Sequence, residues 1–298
     1  MNRLGLIAPF LLIGLFSALC CQSSQGHRQE APASPEQEVE QPAPETTASK
    51  TAPPADPGQD MVRVAGGTFQ FGATERQFQA YFSLSRMSFP GMREQMRSRF
   101  VIPPRPVTVK DFWIDPFEVT NQQFLEFLQA SGYQPGQAAG FLHHWETPRR
   151  YPDWAASFPV VWISAPDAQA YCEWRGGRLP SDQEWERAAR GDDGRFFPWG
   201  NKAPSHHETA VFGGDQSEPV GSRAGDASPF EVYDLGGNVS EWTSNTETVE
   251  GEGHQVARGG NFREAAREML AYNRRLEPLT RPRNEVTGFR CVAEVQQK

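Results

Sequence analysis

The chain has 298 residues, 38% of them hydrophobic and 22% charged, which is enough for one sizeable core and excludes a wholly disordered protein. Its 37 acidic side chains outnumber the 29 basic ones for a formal net charge of -8. The molecule as a whole therefore repels nucleic acid and anionic lipid, and neither is expected as a main partner.

At the N-terminus, Arg3 precedes an apolar run to Leu19 that is broken by Gly5, Pro9 and Gly14. It is shorter than the ~20 apolar residues of a spanning helix and has the build of a secretory leader. Because it stops at Cys20 and Cys21 and a polar tract follows, it resembles a bacterial lipoprotein signal, in which a thiol is lipidated after cleavage. Leu19 is too large to precede the modified residue, so Cys21 is preferred over Cys20; an ordinary cleaved signal is the alternative. Residues 22–60 hold seven prolines and no aromatic residue, and cannot bury enough surface to offset the entropy of ordering. The expected organisation is thus a leader over 1–21, a flexible tether over 22–60 and a folded domain over 61–298. Such a protein is exported to the bacterial cell envelope, facing the periplasm or the cell surface, and meets the membrane through its lipid alone.

From Met61, Val62, Val64, Phe69 and Phe71 flank Gly66-Gly67 in the pattern of a strand hairpin. Between Glu75 and Arg105, arginines alternate with aromatic residues, which reads as an amphipathic helix or long loop packing its rings on the domain rather than as a polyanion surface. A second strand pattern (Val107, Val109, Phe112, Ile114) runs into Thr120, which with Gln123 makes a capping box for a helix carrying Phe124, Phe127 and Leu128 and ending at Gly132. The same start signal recurs at Ser164 with Asp167, for a helix through Cys172 and Trp174, and at Ser181 with Glu184, for a helix ending before Gly191. Beyond Gly191 the density of Gly, Pro, Asp and Asn predicts long loops.

Five collinear blocks are similar to the formylglycine-generating-enzyme, or sulfatase-modifying-factor, family: MVRVAGGTFQFGA (61–73), VTVKDFWIDPFEVTNQQFLEFL (107–128), FPVVWISAPDAQAYCEWRGGRLPSDQEWERAARG (158–191), DLGGNVSEWTSN (234–245), and RGGNF (258–262) with GFRCVAE (288–294). The resemblance implies an α+β fold, a C-type-lectin-like variant that is loop-rich with little regular secondary structure. It also implies a structural calcium site, with carboxylates from Asp234 and Glu241 and backbone carbonyls from Gly237 and Val239, suited to a hard cation, and with Gly236 and Gly237 letting the backbone curl inward.

The domain's cysteines are Cys172 and Cys291. An even pair in an exported chain favours a disulfide, and both positions match a disulfide of the family; a thiol pair holding a metal is the alternative. Formylglycine-generating members oxidise a substrate cysteine within a Cys-x-Pro-x-Arg motif, using two further thiols that grip Cu(I), a soft ion. Counted from Arg258, those positions fall on Glu264 and Met269, and no cysteine occurs in 259–290, so copper is not expected. The text around them resembles the cysteine-free branch of the family, with Asn261, Glu264, Met269, Asn273, Arg274 and Arg275 as candidates to line a groove. Its arginines, with Arg281 and Arg290, either hold an anionic ligand or lock long loops through carboxylates and carbonyls. The histidines show no HExxH-type spacing, although an iron site assembled from distant loops stays open.

The functional expectation is an envelope-tethered pseudoenzyme, a module binding a protein, peptide or glycan. The alternatives are a non-haem iron or other oxidative maturation enzyme on the same fold, and formylglycine generation toward sulfatases.

Overall fold

Two stretches, one on each side of the first helix, form an antiparallel ribbon. In this computed structural model, which describes residues 60–85 and 103–296, strands β1 (Val62–Val64) and β2 (Gly67–Phe71) do not pair with each other. Instead β1 pairs with β4 (Phe112–Ile114) and β2 with β3 (Arg105–Val109), in a single register carried from Val62–Ile114 to Phe71–Arg105. The hairpin expected at Gly66-Gly67 is therefore corrected. A Cβ on Gly66 would lie 2.5 Å from the Lys110 carbonyl carbon, so this glycine serves close backbone approach across the ribbon. The Asp111 carboxylate fixes the crossing by accepting from the Gly66 N–H at 2.8 Å.

Helix α1 (Glu75–Ser85) buries Phe78 and Phe82. Residues 86–102 of the arginine-aromatic insert, the leader with Cys20 and Cys21, and the tether as far as Gln59 lie outside the described residues. Helices α2 (Asn121–Ser131), α3 (Ala165–Trp174) and α4 (Asp182–Arg190) each begin with the expected reciprocal capping box, at Thr120/Gln123, Ser164/Asp167 and Ser181/Glu184. Gly132 ends α2 in the left-handed conformation, with φ 67°. Phe124, Phe127 and Leu128 of α2 pack with Tyr171 and Cys172 of α3 and with Phe289 and Cys291 in the main core.

The expected loops run from Gly191 to Val239, but the chain then forms β5 (Ser240–Val249) and β6 (Glu252–Arg258), a long hairpin that the composition concealed. Its turn carries Glu250 and Gly251 at φ 52° and 85°, the paired positive values of a two-residue hairpin link. With β7 (Arg274–Pro278) and β8 (Thr287–Gly288) it makes a four-stranded sheet in the order β7-β6-β5-β8, while β9 (Val292–Glu294) joins β4 at the end of the ribbon. The whole is α+β, with short strands held by loops.

Cys172 and Cys291 are bonded to each other, tying α3 to the entry of β9 across 119 residues of sequence. Closing a loop of that size removes denatured-state entropy, so replacing both cysteines by alanine is expected to lower unfolding stability by about 4 to 5 kcal/mol in urea titrations. A loss below about 1 kcal/mol would show that the bond is not what constrains the chain.

Candidate functional site

A set of buried ionisable groups gathers where the loop before β5 meets the end of β4. Arg290, wholly buried, gives Glu241 a two-pronged ion pair, Nη2 to Oε1 at 2.7 Å and Nε to Oε2 at 2.8 Å. Its remaining N–H groups reach the carbonyls of Asp115 at 3.0 Å and Tyr233 at 2.7 Å. The Trp185 indole of α4 donates to the same Glu241 at 2.7 Å. Beside this pair, Glu118 accepts from the Val239 N–H at 3.2 Å and the Asn238 amide at 3.1 Å. Asp234 accepts from the Gly221 N–H at 2.6 Å, and Asp226 accepts from the Asp234 N–H at 3.0 Å.

Burial, with the Asp234 charge second, pushes Asp226 up to about 8. Burial and then the charges of Asp234 and Glu241 raise Glu118 well above the usual carboxylate range, and burial raises Asp234. Glu118 and Asp226 were not singled out from the sequence. Glu118 had a signal, a lone carboxylate between Phe117 and Val119 ahead of a capped helix; Asp226 sits in a loop sequence with none.

The backbone of the 234–241 loop differs from expectation. Its left-handed residues are Asp234 and Asn238, at φ 61° and 60°, side chains that tolerate that region. Gly236 and Gly237 are there for space: a Cβ at 236 would lie 2.5 Å from the Trp199 ring, and one at 237 would lie 2.7 Å from the Val211 carbonyl oxygen. Both Glu241 oxygens are taken by Arg290 and Trp185. Among the described residues, no three His, Cys, Asp or Glu side chains converge as a metal-holding group. Arg290 thus neutralises Glu241 and competes there with any cation.

The six groove candidates are not a set of free side chains. Met269 is fully buried in an apolar cluster with Phe78, Phe82, Leu270 and Tyr272, in space that Gly260 leaves by having no Cβ. Glu264 is half-buried and ion-paired with Arg275, which also meets Glu277 at 3.0 Å. Arg274 grips Glu247 at 2.6 and 3.1 Å. Asn261 donates to the Ser240 hydroxyl at 3.1 Å, and Asn273 to the Glu268 carbonyl at 3.0 Å. Of the histidines, His144 meets Asn121 at 3.1 Å, and burial brings it down to about 4, while His206 stacks on Phe212.

Residues 46–295 match the family model of the sulfatase-modifying factor enzyme 1-like domain. The chain is 35% identical over 241 residues to the inactive C-alpha-formylglycine-generating enzyme 2 of Mus musculus, covering 64% of this chain and 78% of that protein. To the protein of the same name from Bos taurus it is 32% identical over 285 residues, covering 78% and 88%. The solved structure of PvdO from Pseudomonas aeruginosa superposes with a TM-score of 0.58 at 24% identity, over 79% of this chain and 94% of that one, a likeness of fold.

Two outcomes follow from the buried centre. The native state keeps a proton on Asp226 that the unfolded chain releases near pH 4, so this group's stabilisation is complete below that pH and fades as pH rises toward about 8. Asp226→Asn should flatten the decline of stability between pH 4 and 8, read by urea unfolding at several pH values; an unchanged slope would place the proton elsewhere. Millimolar calcium and chelator should give the same melting temperature, since a ligand of the native state would raise it by mass action. A calcium-dependent rise of several degrees would return Asp234 and Glu241 to the role of ligands.

Proposed function

This chain belongs to the sulfatase-modifying factor enzyme 1-like domain family, and on that premise we propose that it is a ligand- or partner-binding member that does not carry out copper-dependent formylglycine formation. The observation that carries this reading is the state of the two positions counted for the copper thiols. Met269 is sealed in the core and Glu264 is held by Arg275. A thioether without access and an ion-paired carboxylate cannot grip Cu(I) or exchange disulfides with a substrate cysteine. The domain's remaining cysteines are bonded to each other. The mouse and cattle relatives, named as inactive enzymes, support the same reading. An iron-dependent oxidation draws no support from His143, His144, His206 and His254, which meet the Trp162 ring, the Asn121 amide, the Phe212 ring and the Glu252 carbonyl.

The lipoprotein-like leader and the proline-rich tether complete the proposal: a domain held at the cell envelope through a lipid on Cys21, or on Cys20, presenting its surface to a protein, peptide or glycan.

The full-length protein, loaded with Cu(I) and given oxygen and a Cys-x-Pro-x-Arg peptide, should consume no oxygen and form no aldehyde above a protein-free control, as read by mass spectrometry of the peptide. Catalytic turnover would overturn the proposal.

A further inference from the structure

A cleft of about 1040 Å³ runs between β3 and the C-terminal stretch Glu294–Gln296, near the start of α4. One wall is the unbroken run from Val107 to Phe112. Side chains on one face of a strand would contribute alternate residues, so consecutive lining means that the strand turns its backbone edge to the cleft. Among the described residues β3 pairs with β2 alone, and that edge has no strand beside it.

Which backbone groups face outward follows from Pro106, which is paired with Gln70. Proline has no N–H to exchange, so Gln70–Pro106 is a non-hydrogen-bonded pair, and by alternation so is Thr68–Thr108. The Thr68 and Thr108 hydroxyls, 2.7 Å apart, have the closeness of such a pair. In that register Thr108 points both its N–H and its C=O away from β2, joined by the Pro106 carbonyl and, by the same alternation, the Lys110 N–H. This is a ladder for a further strand.

We propose that the outer edge of β3 is a docking site for an extended acidic peptide of a partner protein, which adds to the ribbon as its next strand. The choice of partner comes from charge. Arg105 and Lys110 stand at the two ends of β3, and neither has a carboxylate partner among the described residues. Arg105, just outside the cleft lining, lies over the Phe71 ring, 5.4 Å from its centre; of the other charges in the cleft, Arg63 and Arg178 are paired with Asp111 and Glu184, and Glu294 stands beyond the end of β3, opposite Phe112. Lysine and proline on an edge disfavour indiscriminate pairing. A second copy of β3 brings the same two cations and is repelled, while an acidic strand is attracted. Val107, Val109, Phe112 and Val295 in the cleft walls suit small branched side chains between the acidic ends.

This inference rests on the reading of the chain as a binding module, and it is tested separately from the copper assay. The probe is the capped peptide ETVTVE, titrated into the full-length protein, with KTVTVK as its charge-reversed control. The acidic peptide should bind at least tenfold tighter than the basic one, and should slow hydrogen exchange of the Thr108 amide tenfold or more. Thr108→Pro, which removes an outward N–H and no bond to β2, should abolish binding, and the double change Arg105→Glu with Lys110→Glu should invert the preference. The edge is excluded as the site if ETVTVE does not bind, binds without protecting Thr108, or binds both variants as it binds the unaltered chain. Absent peptide binding together with absent aldehyde removes the edge alone; aldehyde formation removes the binding-module reading, whatever the titration gives.

Discussion

The fold turns on arginines buried where loops meet. Arg290 and Glu241, at 0% and 1% exposure, bind β5 to the end of β4 through the Asp115 carbonyl, to the long loop through the Tyr233 carbonyl and to α4 through Trp185. A second arginine, Arg258 at the end of β6, is equally buried: it is ion-paired with Glu186 of α4, faces Asp182 at 2.8 Å, and donates to the carbonyls of Tyr272 and Asn273 at 3.1 and 2.8 Å. Removing one partner of such a pair strands a charge without water, a loss of about 3 to 5 kcal/mol. In a chain with so few ladder hydrogen bonds between Gly191 and Val239, these donors also satisfy carbonyls that no strand or helix reaches.

The same economy explains why the arginine-rich stretch near the C-terminus offers little to a ligand. Arg274, Arg275 and Arg290 of the expected set each face a carboxylate, Glu247, Glu264 with Glu277, and Glu241, as Arg283 faces Asp167; Arg281 is exposed and has no carboxylate partner among the described residues. Arg283 joins Tyr133 on Asp167, the residue that closes the capping box of α3, so a helix start, a loop and a distant arginine share one acidic group. Guanidinium forks used this way are structural ties.

Much of this was legible in the sequence where the signal is local. Thr120, Ser164 and Ser181, each followed three residues later by a side chain that reaches back, placed the three capped helix starts. The strands around Gly66 were legible as strands but not as partners, because pairing depends on which backbone approaches Gly66, and that is Lys110, far along the chain. The β5–β6 hairpin was hidden because Thr, Ser and Glu fill its exposed positions and dilute the alternation. At the candidate site, counting from Arg258 found Glu264 and Met269, but nothing in the sequence tells that Gly260 leaves room for the Met269 thioether or that Arg275 claims Glu264. Glu241 was legible as a carboxylate in a glycine-rich loop; that Arg290 holds both its oxygens required the fold.

The separation between what holds the domain and what would do chemistry is itself informative. Neither Glu264 nor Met269 belongs to the Arg290 or Arg258 networks, so the residues at those two positions can change without unpairing a buried charge. A domain built in this way can give up thiol chemistry and keep its architecture, since function sits in sites carried on the fold and not in the fold. What the architecture still offers is backbone: a ribbon whose inner pairs are complete, ending in an edge at β3 that proline and two cations guard without closing. On the docking proposed above, selection of a partner rests on the charge and register of a strand instead of a reactive sulfur, a change that needs no new element of structure.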